Sequence, residues 1–217
     1  MKNKIFWEPS IASIEKTNIF KFQNSVNQKY NLDLNSYSDL YEWSIQNSSD
    51  FWKEIWKYSN IIFSEPYSRV INETENIWDT EWFAGSKLNY AENLLKYKND
   101  NKAIYFFGED KVQKNLTFNE LQDNVAKVAH SFKKMGLKKG DRVAALIPNI
   151  PETVIAMLAT SSIGAIWSSC SPDFGIEGIL DRFSQISPKI VVCSDGYFYK
   201  GKKINYKKKI TAILDSL

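Results

Sequence analysis

The chain is short of the residues on which most catalytic and metal chemistry depends. It has one histidine, His130, and two cysteines, Cys170 and Cys193, in 217 residues. Neither cysteine has metal-ligand spacing, and no His/Asp/Glu cluster with metal spacing occurs, so a metal centre is not expected. No apolar segment follows Met1 that would serve as a signal peptide, and the longest apolar stretches, such as 154–167, are too short and interrupted to span a bilayer. A soluble cytoplasmic protein with free thiols, not bound to membrane, is the expectation. No Walker loop and no paired glycine-rich dinucleotide fingerprint is present. Cys170 as a nucleophile would need a base, and His130 lies in an earlier helical pattern, so an inert, partly buried thiol is the reading. No catalytic constellation is expected in these residues.

What is present is uneven. The hydrophobic fraction of 43% is that of an ordinary globular protein. Six of the seven tryptophans lie at or before Trp82, whereas Gly, Val and Ala gather after residue 100. That shift sets a boundary near residue 95, dividing the chain into 1–95 and 96–217. The net charge of +3 excludes little, but six lysines and no acid lie between Lys200 and Lys209. The run suits either a phosphate-rich ligand or a solvated helix face. Nucleic acid is not expected, because the net charge is modest and no nucleic-acid motif occurs.

The first region reads as short helices joined by polar turns. Ser49 is placed to cap a helix with Phe51, Trp52, Ile55 and Trp56 on one stripe. Another begins near Ser38, with Leu40, Tyr41 and Ile45 inward. Asn89 and Glu92 have capping-box spacing ahead of Leu94 and Leu95.

After residue 100 the rhythm becomes that of an α/β fold. AIYFF (103–107) and 112–116 read as strands joined by a turn at Gly108-Glu109-Asp110-Lys111. Thr117 and Glu120 form a capping box for a helix with Leu121, Val125, Val128 and Phe132 on one face, ended by Gly136. A strand–loop–helix unit then repeats three times. Arg142–Ile147 leads through Pro148-Asn149-Ile150 to a helix opening on Pro151. Ala165–Ser169 leads through SSCSPDFG (168–175), with Asp173 as expected N-cap, to a helix with Ile176, Ile179, Leu180, Phe183 and Ile186. Ile190–Cys193 leads through the loop DGYFYKGK to a helix over 205–217.

Strands apolar on both faces alternating with helices imply parallel pairing with right-handed crossovers. Ligands of such layers bind beyond the carboxyl ends of the strands. There the small residues of the second loop and the lysines and aromatics of the third make a place for the phosphates and adenine of a nucleotide-like ligand. Three parallel strands with a helix still running at Leu217 read as a sheet cut short, so the chain is expected to be the front portion of a longer protein.

WDTEWFAGSKLNYAENLL (78–95), followed by the run 140–202 with WSSCSPDFG and then LDRFSQI, closely resembles the acetoacetyl-CoA synthetase (acetoacetate-CoA ligase) family of the adenylate-forming acyl-CoA synthetases. The resemblance implies a mostly helical N-terminal region followed by the start of a parallel-sheet, AMP-binding adenylation domain, truncated here. It also implies an acid–thiol ligase that uses ATP, Mg2+, acetoacetate and coenzyme A, with the remainder of the same polypeptide as its partner. The family's phosphate-gripping Ser/Thr/Gly-rich loop does not occur in these residues, so no adenylation is expected from them alone.

Residue by residue, the resemblance carries over coenzyme A contacts at Ser171, Pro172 and Asp173 and at Tyr199, Lys200 and Lys202. The last three fall on an Arg-x-Gly-Arg stretch of related enzymes. Tyrosine and lysine replace its arginines, so a bidentate grip gives way to point charge. Two other functions fit the sequence: a synthetase for another short acyl chain, such as acetyl or propionyl, and a non-catalytic nucleotide- or CoA-binding module.

Overall fold

A computed structural model describes residues 6–109 and 112–217. The Asp110-Lys111 part of the expected turn lies outside the described residues. The chain divides into two compact units, 1–87 and 88–217.

The first unit is mainly helical: α1 (Ile11–Ile14), α2 (Asn18–Tyr30), α3 (Tyr37–Gln46) and α4 (Ser48–Tyr58), followed by an antiparallel pair, β1 (Arg69–Asn72) and β2 (Glu81–Ala84). Its core is Phe22 and Val26 of α2 with Leu40 and Trp43 of α3, and Phe51 and Ile55 of α4 pack against them. Two details differ from the sequence reading. α3 is capped by a reciprocal box between Ser36 and Asp39, and its inward face runs through Leu40 and Trp43, leaving Tyr41 and Ile45 half exposed. The residue before α4 is Asn47 rather than Ser49, because α3 and α4 are separated by that one residue. Trp56 sits in an aromatic cluster with Phe63, Tyr67 and Phe83, at ring separations of 5.7, 5.2 and 4.6 Å.

The second unit opens with α5 (Tyr90–Leu94), whose cap Asn89 accepts from the Glu92 N–H. An antiparallel hairpin of β3 (Lys102–Gly108) and β4 (Val112–Thr117) follows. Then comes α6 (Phe118–Lys134), started by the Thr117–Glu120 capping box that the sequence placed there. The repeated units are β5 (Arg142–Leu146), α7 (Pro151–Ser162), β6 (Ile166–Cys170), α8 (Ile176–Ile186) and β7 (Ile190–Cys193). The three strands form one parallel sheet in the order β6-β5-β7.

Successive side chains of β5 point to opposite faces, as the pleat requires. Val143 joins a core with Leu121 and Val125 of α6 and Ile155 and Leu158 of α7. Ala144 and Leu146 join another, with Ile179 and Phe183 of α8 and, from the chain's last helix, Ile213. Helices therefore cover both faces, and β5 is buried because it has a strand on either side and a helical layer above and below.

One expectation is overturned. DGYFYKGK is not a plain loop but most of an antiparallel hairpin, β8 (Gly196–Tyr199) and β9 (Lys202–Asn205), ahead of α9 (Lys207–Leu214). Its two-residue turn has positive φ at both positions, 50° at Lys200 and 72° at Gly201. This geometry matches the twist of the strands it joins.

Candidate functional site

The carboxyl ends of three adjacent parallel strands put three connections on one edge of the second unit: 148–150 after β5, 171–175 after β6, and the stretch from Ser194 through the β8–β9 hairpin after β7. A cavity of about 580 Å³ opens at this edge. It is lined by Pro148, Asn149 and Ile150, by 195–199 with Lys203, and by Phe106–Glu109 and Val112 at the tip of the β3–β4 hairpin. Phe106, Phe107, Tyr197, Phe198 and Tyr199 make its walls largely aromatic. Such a wall accepts a flat ring, while Asn149 and Lys203 supply polar groups.

The connection after β6 is organised by side-chain contacts rather than by a helix cap. Asp173 was expected to cap α8. The N-cap is Gly175, with no side-chain cap bond. The Asp173 carboxylate instead accepts from the Tyr197 hydroxyl and, at 3.1 Å, from Ser171 Oγ. These bonds hold its carboxyl below the usual carboxylate range, and the same contact, with burial, pushes the Tyr197 phenol up to about 12. Asp173 is thus an ionised group whose charge is already engaged. From α9, Lys209 Nζ donates to the carbonyls of Pro172 and Phe174 at 2.8 and 3.1 Å. Ser171, Pro172 and Asp173 are therefore tied to the base of the hairpin and to α9.

Tyr199, Lys200 and Lys202 lie at the other end of the same hairpin, around its turn. Tyr199 and Lys202 are paired across the strands, and the Lys200 ammonium stands 5.3 Å from the Tyr199 ring centroid. The six residues expected to meet coenzyme A thus fall in two groups, one at the base of the hairpin and one at its tip. A residue that the sequence did not suggest joins the second group. The carboxylate of Glu109 accepts from the backbone N–H groups of Lys200 and Gly201, at 2.5 and 2.9 Å. These partners are 91 and 92 positions apart, and no local pattern signals the contact. The lysine run divides similarly: Lys209 braces 172–174, whereas Lys207, paired with Asp195 at 3.7 Å, remains largely exposed.

Both thiols are unpaired. Cys170 is buried at the end of β6 and Cys193 exposed at the end of β7, and burial raises both thiol pKa values, so neither is an activated nucleophile. His130 is exposed on α6. Among the described residues no group of three or more His, Cys, Asp or Glu side chains is placed to hold a metal ion, and no helix is long and apolar enough to cross a membrane.

A parallel sheet covered on both faces, with an aromatic and lysine-bearing edge beyond its strand ends, is the arrangement in which α/β layers receive their ligands. The model of the AMP-binding enzyme family matches residues 91–216, and that of the acetyl-coenzyme A synthetase N-terminus matches 37–94. The chain belongs to the AMP-binding enzyme family. Within it, the chain is 47% identical to the acetoacetyl-CoA synthetase of Gallus gallus over 220 residues, covering 100% of this chain and 33% of that protein. It is 38% identical to the acetoacetyl-coenzyme A synthetase of Rhizobium meliloti, covering 97% of this chain and 32% of that protein. The solved acetoacetyl-CoA synthetase from Streptomyces lividans superposes with a TM-score of 0.91 at 33% identity, covering 99% of this chain and 34% of that one. The chain spans about a third of the length of the curated relatives it matches.

Proposed function

We propose that the chain is the N-terminal portion of an acetoacetate-CoA ligase and that its hairpin edge receives the nucleotide end of coenzyme A. The observation that carries this reading is the similarity to acetoacetyl-CoA synthetases along essentially the entire chain. The activity is that of an acid–thiol ligase in the cytoplasm. With ATP and Mg2+ bound, the acetoacetate carboxylate displaces pyrophosphate to form an acyl-adenylate, and the thiol of coenzyme A then displaces AMP to give the thioester.

The residues at the edge fit the coenzyme's nucleotide. Lys200 and Lys202 bring two positive charges to the hairpin turn, where a phosphate needs them, and Tyr199 and Phe198 offer faces to a base. Ser171, Pro172 and Asp173 form the neighbouring rim. With Asp173 bonded to Tyr197 and Ser171, its role is to position the rim against the hairpin rather than to meet phosphate. The step that forms the adenylate draws on a phosphate-gripping loop that does not occur in these residues, so the 217-residue chain is not expected to catalyse ligation by itself, nor to hold coenzyme A tightly.

The test is to express the whole reading frame that contains the chain and measure AMP release. Release that depends on acetoacetate is expected. Release with acetate or propionate but not with acetoacetate would overturn the substrate assignment. Calorimetry of the 217-residue chain and its Lys202→Ala variant with coenzyme A tests the edge, because binding that ignores Lys202 would remove it from the site.

A further inference from the structure

The turn of the β8–β9 hairpin already holds an anion, and that anion belongs to the chain. Positive φ at both Lys200 and Gly201 aims their consecutive N–H groups at the two carboxylate oxygens of Glu109. Successive backbone N–H groups turned to one side make an anion-binding concavity. The surroundings also suit an anion, since Lys200, Lys202 and Lys203 are within four positions of one another and, among the described residues, none of the three is in an ion pair. There is room beside the turn as well: among the described residues nothing lies within 4 Å of where a Cβ on Gly201 would be.

Glu109 and Tyr199 both line the 580 Å³ cavity. The Glu109 contact therefore ties the tip of the β3–β4 hairpin to the tip of the β8–β9 hairpin across one side of that cavity. A phosphomonoester presents oxygens to the same two donors, with more negative charge and one oxygen to spare for a lysine. It cannot share the turn with Glu109, because the two anions would compete for the same N–H groups and repel each other.

We propose that Glu109 is a displaceable internal anion: it occupies the hairpin turn until a phosphomonoester takes its place, and its departure frees the two hairpin tips and opens the cavity between them. This rests on the coenzyme reading of the hairpin, to which it adds the order of events and the residue that sets the affinity. The proposal gives Glu109 a role in binding and in no step of the reaction.

The experiment titrates adenosine 3′,5′-bisphosphate into the 217-residue protein, its Glu109→Gln variant and the Lys202→Ala variants of both. Calorimetry gives the affinities, and ¹⁵N–¹H spectra follow the amides of Lys200 and Gly201, with the β5 amides reporting that each variant is folded. Glutamine keeps one acceptor and no charge, so one charge-assisted bond is lost from the closed state. The variant is expected to bind about tenfold more tightly. The Lys200 and Gly201 amides of the unliganded variant shift away from their wild-type positions, and Lys202→Ala weakens binding in both backgrounds. Equal or weaker binding by Glu109→Gln, with Lys202→Ala still weakening the wild type, overturns the displacement and leaves the coenzyme reading standing. No binding by either protein, or binding indifferent to Lys202→Ala, overturns both.

Discussion

Gly196 begins β8 at the point where the chain leaves the parallel sheet and enters the hairpin. A Cβ added there would lie 2.4 Å from the carbonyl oxygen of Ile204, with the Ile204 carbonyl carbon at 3.3 Å and Asn205 Cα at 3.4 Å. A carbon and a carbonyl oxygen come no closer than about 3.3 Å in ordinary sheet contacts. In Gly196→Ala the strands must therefore separate by about 0.9 Å, and because the obstruction is backbone, no rotamer change relieves it. An N–H···O bond of about 2.9 Å does not survive such a retreat. The Gly196–Asn205 end of the hairpin then loses one or two backbone bonds, a cost of about 1–3 kcal/mol. That is a fraction of the ~5–15 kcal/mol of a typical domain, so the protein stays folded while the hairpin frays from its base. Hydrogen exchange followed by mass spectrometry on the peptide spanning 194–206 is expected to show faster exchange there and unchanged exchange in β5. Gly201→Ala is the contrast: it meets no neighbour among the described residues and costs about 1–2 kcal/mol for its left-handed backbone. Wild-type protection of the 194–206 amides in Gly196→Ala would refute the close approach, and with it the reason for a glycine at this corner.

Phe183 is fully buried between α8 and the sheet. Phe183→Ala should cost about 3–5 kcal/mol and lower the melting temperature by roughly 6–20 °C in calorimetry. Thr117→Ala removes the hydroxyl that accepts from Glu120 N–H at the start of α6, an expected loss of about 1 kcal/mol by denaturant titration. Ellman's reagent at pH 8 should modify Cys193 in the folded protein and reach Cys170 only as the protein unfolds, because Cys193 is exposed and Cys170 buried; two equally fast thiols would contradict the packing of β6. The Asp173–Tyr197 bond sets a pH window at each end. Tyr197, raised to about 12 from an ordinary value of 10, gives a contribution complete below pH ~10 and lost as pH climbs through its folded value. Asp173, lowered, gives one complete above pH ~4 and lost as pH falls through its folded value. Tyr197→Phe should return the Asp173 carboxyl toward its ordinary titration, read by ¹³C chemical shifts.

The sequence was most legible where local chemistry and burial agreed. The Thr117–Glu120 box, Pro151 at the first position of α7 and the doubly apolar strand β5 each state their structure within a few residues, and each is found there. The β8–β9 hairpin is hidden in the sequence because its lysines read as a patch rather than as strand. A signal was available, since two four-residue segments, GYFY and KKIN, flank a Lys-Gly pair suited to a two-residue turn. Asp173 does not cap α8 because the rule that an acid before a helix caps it is local, whereas Tyr197, 24 positions on, offers a competing hydroxyl. The same reason hid Glu109. Its partners are backbone N–H groups, which carry no residue identity, and they come into reach only after the sheet and both hairpins have formed.

β5 stands between β6 and β7 but precedes both in the chain. As the polypeptide is synthesised, the template strand is complete before either neighbour exists, and α7 is made before a second strand can pair. Each later strand then docks by its own crossover onto an edge that is already waiting, first on one side and then on the other. The two edge strands touch β5 and not each other, so a fault in β6 need not unzip β7, whereas a fault in β5 removes the seat of both. Residues 142–146 are thus the segment on which both neighbouring strands depend, and the connections after β6 and β7 hang on strands that dock onto it.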